Sequence, residues 1–108
     1  MQTRSENGTV THHPRVAWDG ARAFVRAAGS ARSDDFAARV LSRLGSETYG
    51  AFADTRHRLL AALVQTGGDR HAADVETGKW RARLEDLLRS RPELTDAVRE
   101  LTAEAGEL

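Results

Sequence analysis

Residues 79–101 read KWRARLEDLLRSRPELTDAVREL, and their spacing decides the class of fold. Trp80, Leu84, Leu87 and Leu88 recur at the three-and-four spacing that sets them on one stripe of an α-helix. Arg81, Arg83, Glu85, Asp86 and Arg89 fill the opposite face. Pro92 has no N–H to give a helix interior and pushes its predecessor out of the α region, so this helix must stop near Arg91. Proline is welcome in a first helical turn, so Pro92-Glu93 opens another helix with an acid at its positive end. Leu94, Val98 and Leu101 keep the phase of that second helix. The spacing predicts an αα-hairpin with apolar faces inward and Trp80 in the core.

Working back from this hairpin, Asp69 after Gly68 is the expected cap of the Trp80 helix. Gly78 costs about 1 kcal/mol relative to Ala in a helix interior, but the apolar phase continues through it, and one unbroken helix is predicted. Ser46-Glu47 starts the longest predicted helix, with Tyr49, Phe52, Ala53, Leu59, Leu60, Leu63 and Val64, ending at Gly67-Gly68. Its segment LLAALV (59–64) is the most apolar run and is expected at the centre of the core. Ser33 followed by Asp34-Asp35 reads as a cap and an acidic first turn, with Phe36, Val40, Leu41 and Leu44 behind it and Gly45 as the stop. Asp19 is the expected cap of a short first helix holding Ala21, Phe24, Val25 and Ala28, anchored by Trp18 and closed by Gly29-Ser30. Residues 1–13 read as a flexible arm and 14–108 as a single helical domain. The predicted fold is all-α: a compact antiparallel bundle of four main helices plus a short N-terminal helix.

Composition agrees. Fifteen of the sixteen basic residues are Arg and eighteen residues are Ala, both strong helix formers. The net charge of zero argues against binding nucleic acid or membrane by bulk electrostatics. The charge is unevenly spread: residues 1–44 carry seven Arg against four acids, and residues 69–108 carry seven basic residues against ten acids. Such bipolarity allows head-to-tail association or the steering of a charged partner, and equally fits an incidental imbalance on solvated faces. The chain has no Cys, which excludes a disulfide framework and points to a reducing compartment. MQTRSENGTVTHHPR lacks the apolar core of a signal peptide, and no run approaches the roughly 18 apolar residues of a membrane span. A cytoplasmic protein without a membrane role is expected.

No catalytic set emerges. Gly78-Lys79 resembles part of a phosphate loop, but Ala73 stands where the first glycine belongs and Trp80 where Ser or Thr must hold magnesium. His12-His13 point in different directions, and His57 and His71 belong to different helices, so no metal site is expected. Asp34-Asp35 are accounted for by a helix terminus, and no Ser lies in a nucleophile turn. Neither a cofactor nor an enzyme activity is predicted.

Two binding readings remain. Trp18, Phe24 and Val25 form the candidate protein interface, on the helix with least to pack against. Alternatively Arg22, Arg26, Arg39 and Arg43, paired one turn apart, contact phosphates of DNA or RNA. Gly45 between two helices resembles a helix-turn-helix, but the apolar position that packs its second helix is Asp54 here, so no recognition helix is expected.

The pattern across residues 50–104, a Gly-Asp turn, W-x3-L-x2-LL, a proline and a leucine-spaced helix, is similar to the C-terminal ends of small Ala/Arg-rich helical proteins of actinobacteria. Such modules resemble effector-associated adaptors of bacterial conflict systems. The resemblance implies a non-catalytic adaptor or assembly protein of a multi-protein, defence-type system, self-associating and acting on a protein partner.

Overall fold

The structure, a computed structural model, describes the backbone of residues 4–68 and 70–108, and the side chains from Pro14 onward apart from Asp69. It consists of helices α1 (Arg4–Ala28), α2 (Ser33–Leu44), α3 (Ser46–Thr66) and α4 (His71–Ser90), a 3-10 turn (Pro92–Leu94) and α5 (Thr95–Ala105). No strand occurs among the described residues. The expected metal-free pair His12-His13 and the expected cap Asp69 lie outside the described side chains, as does the arm apart from its helical backbone from Arg4.

The 79–101 stretch ends and restarts as its proline requires. Helix α4 runs unbroken through Gly78, and the Arg91 N–H still reaches the Leu87 carbonyl at 2.7 Å before Pro92 opens the 3-10 turn. Gly67 closes α3 in the left-handed region (φ 74°), which a side chain rarely adopts.

The first helix departs from expectation. It spans 25 residues and Asp19 lies in its middle, so Asp19 caps nothing. Asp19 is a polar residue on the exposed side of a continuing helix, and neither Pro14 nor Gly20 breaks that helix. Between Val16 and Ala28, nine positions, Val16, Ala17, Gly20, Ala21, Ala23, Phe24, Val25, Ala27 and Ala28, are buried. A helix covered over so wide an arc is a centre. Ser33 is likewise no cap: it is buried inside α2, and Ser30 serves the turn instead, accepting the Arg32 N–H at 3.1 Å.

Helix α1 packs against every other helix. Four rings converge there: Phe24 lies 5.3 Å from Phe36 of α2, 6.4 Å from Phe52 of α3 and 5.1 Å from Trp80 of α4, between centroids. Gly20 meets Leu84 while Phe24 meets Trp80, so α1 and α4 run in opposite directions. The hairpin expectation is therefore corrected in one respect: α4 and α5 scarcely touch each other, and both close their apolar faces on α1. A Cβ on Gly20 would stand 3.0 Å from Leu84 Cδ1 of α4 and 3.1 Å from Val98 Cγ1 of α5. The glycine lets both helices approach. At Gly78 a Cβ would meet nothing within 4 Å. In denaturant titrations Gly78→Ala is expected to raise stability by about 1 kcal/mol, and Gly20→Val to lower it by roughly 1–3 kcal/mol through overpacking.

Candidate interaction surface

A buried polar lock joins α3 to α4. Glu76 occupies the core stripe of α4, four residues before Trp80, and its side chain is 4% exposed. Burial pushes its carboxyl upward, but hydrogen bonds from Arg58 and Thr55, with the charges of Arg58 and Lys79, outweigh burial and hold it below the ordinary 4.5. Arg58 donates from Nε to Oε2 at 2.8 Å and from Nη2 to Oε1 at 3.0 Å. The Thr55 hydroxyl donates to Oε1 at 3.0 Å while accepting the Trp80 indole N–H at 2.8 Å. Lys79 adds a contact to Oε2 at 3.4 Å. Both oxygens are engaged by donors from the protein itself, so Glu76 fastens two helices and offers no free acceptor to a substrate. A second fastening comes from Arg56, which donates to the carbonyls of Ala28 and Ser30 at 2.7 and 3.1 Å, where α1 ends.

The predicted phosphate contacts separate into two pairs. Arg39 donates to Glu104 at 3.1 Å, and Arg43 reaches Glu100 at 3.1 Å and Glu104 at 2.9 Å. The two arginines of α2, a helix that Asp34 and Asp35 leave neutral overall, thus meet the acidic α5. Arg22 and Arg26 remain exposed on α1. The predicted protein contacts separate as well: Phe24 is 0% and Val25 6% exposed, whereas Trp18 keeps 41% of its surface. Phe24 belongs to the core, and Val25 lines a groove at its edge.

The surface that the sequence reading missed is on α3. Its buried stripe is Thr48, Phe52, Thr55 and then the half-buried Leu59 and Ala62. LLAALV does not fill the core. Leu60 is 42% exposed, Leu63 54% and Val64 86%. These side chains continue a second stripe that begins at the exposed Tyr49 and Ala53. The signal was present in the sequence: α3 carries more apolar residues than one stripe can place, so two faces are apolar and the fold uses one.

A groove runs along each flank of this ridge. One, of about 280 Å³, lies between α3, the end of α1 and the start of α4, lined by Val25, Gly29, Leu59, Leu63, Ala72 and Ala73. The other, of about 170 Å³, lies towards α2 and is mixed in character, with Tyr49, Phe52 and Ala53 beside Asp34, Arg56 and His57. Leu60 borders both. Among the described residues no group of three His, Asp or Glu is placed to hold a metal, and no helix is long and apolar enough to cross a membrane. No family model, curated protein or solved structure matches the chain.

Proposed function

We propose that this chain is a non-catalytic interaction module, at work in the cytoplasm, that assembles with further copies of itself through the outer face of α3. The observation that carries the reading is the exposure of Leu60, Leu63 and Val64, drawn from the most apolar segment of the chain. Contiguous apolar surface of this kind marks contact sites. The occupant is a second copy because the surface is self-complementary: an apolar ridge flanked by grooves accepts the ridge of its twin as helices pack ridges into grooves. Zero net charge imposes no long-range repulsion between copies. An adaptor role in a multi-protein, defence-type system extends the same reading, with the four main helices as an antiparallel bundle around α1.

Light scattering at rising concentration tests the proposal. The expected result is a mass above the 11.8 kDa of one chain, retained in high salt because the contact is apolar. Leu63→Glu/Val64→Glu is expected to return the protein to a monomer with helicity and stability nearly unchanged, since both side chains lie outside the core. A mass of one chain at all concentrations, or an oligomer indifferent to the double substitution, would overturn it.

A further inference from the structure

The exposed strip formed by the described side chains of α1 is chemically unlike the α3 ridge. From Arg15 onward the residues that reach solvent along this helix are Arg15, Trp18, Asp19, Arg22 and Arg26. The spacing of Arg15, Trp18, Arg22 and Arg26 sets them along one side of the helix. The Arg22 guanidinium lies 5.7 Å from the Trp18 ring centroid, and that of Arg81, reaching over from α4, lies 5.6 Å from it. None of these four arginines forms an ion pair with a described carboxylate, although Arg32, Arg39, Arg43, Arg58, Arg89, Arg91 and Arg99 all do. Half of the described arginines are ion-paired with described carboxylates; these four are not, and two of them, Arg22 and Arg81, flank the exposed Trp18.

We propose that this strip binds single-stranded nucleic acid: Arg22 and Arg81, which lie over the Trp18 ring, swing off it to hold phosphates with Arg15 and Arg26 while a base takes their place on the indole. Charge complementarity selects a polyanion, and the aromatic face selects one that carries flat rings. A duplex keeps its bases stacked on one another and has no free face for the indole, so a single strand is the better ligand. Sequence preference is expected to be weak, because stacking and phosphate contacts carry little sequence information. Asp19, the carboxylate within the strip, opposes binding and sets its strength.

The test is fluorescence anisotropy of a labelled oligothymidine titrated with the full chain, with helicity of each variant followed by circular dichroism. Binding is expected to weaken as salt rises, and roughly tenfold on Trp18→Ala. Arg22→Glu/Arg26→Glu is expected to abolish it, and Asp19→Asn to tighten it several-fold. Arg89→Glu/Arg99→Glu, an equal charge change placed on α4 and α5, is expected to leave affinity within about twofold. The self-association variant Leu63→Glu/Val64→Glu is measured alongside, and retained binding there separates this site from the α3 ridge. No binding, or binding untouched by Trp18→Ala, would overturn the proposal. Equal affinity for a duplex would also overturn it, as would equal affinity for poly-glutamate, which would make the strip a site for acidic protein segments.

Discussion

Replacing Phe24 by Ala is expected to cost about 3–5 kcal/mol, the range for deleting a fully buried aromatic ring. Phe24 has no exposed surface, and its ring faces Phe36, Phe52 and Trp80, one residue from each of α2, α3 and α4. Its removal therefore opens a void where four helices meet, and edge-on ring contacts are lost with it. Against a total stability of about 5–15 kcal/mol for a domain, thermal melts should show a midpoint lowered by on the order of 15–25 °C. Trp18→Ala, six residues earlier on the same helix, is expected to shift it only slightly. The contrast checks that Phe24 is a structural centre and Trp18 a surface residue. Equal shifts for the two would contradict it.

The second large effect concerns Glu76. Glu76→Ala removes the carboxylate that Thr55, Arg58 and Lys79 all face. Breaking a buried ion pair costs roughly 3–5 kcal/mol; the lower end, about 3 kcal/mol, is expected because the Arg58 side chain is 50% exposed and can rehydrate. The pH dependence has a definite sign. The folded carboxyl is held below 4.5, so its contribution is present above that value and is lost as pH falls through the lower folded value. Denaturant titrations from neutral pH downward should show the wild type losing this stability below about pH 4.5, at the ordinary value. Glu76→Gln should lack that component of the decline. Identical pH profiles for the two proteins would remove Glu76 from the account.

Much of the helix pattern was legible in the sequence. Pro92 and Gly67 each terminate a helix through their own backbone chemistry, and Trp80, Leu84 and Leu88 occupy the buried stripe that their spacing predicts. What was not legible depended on which helices meet. Asp19 resembles a cap in isolation, and only burial of the residues on both sides of it shows a helix passing through. Alanines at 17, 21, 23, 27 and 28 look weak as a core stripe, yet small side chains let a central helix be surrounded closely. Glu76 keeps the phase of Ala73 and Trp80, but its acceptability as a core residue depends on Arg58 and Thr55 from another helix.

The candidate surface failed to be read for a related reason. LLAALV has the composition of a core segment, and hydrophobicity alone does not tell a buried face from a contact face. The face itself is decided by phase: Phe52, Thr55, Leu59 and Ala62 turn inward, so Leu60, Leu63 and Val64 turn outward. Arg39 and Arg43 were equally ambiguous until α5 brought Glu100 and Glu104 against them.

The absence of cysteine allows the central claim, that the outer face of α3 meets a second copy, to be tested with single introduced thiols. Val64→Cys and Ala82→Cys place one thiol on the ridge and one on an exposed position of α4. Alkylation rates are then followed as protein concentration rises. The expected result is that the thiol at 64 becomes progressively protected and, under mild oxidation, cross-links into a dimer, while the thiol at 82 reacts at a constant rate. Equal and concentration-independent alkylation at both positions, with no dimer formed through position 64, would contradict the claim.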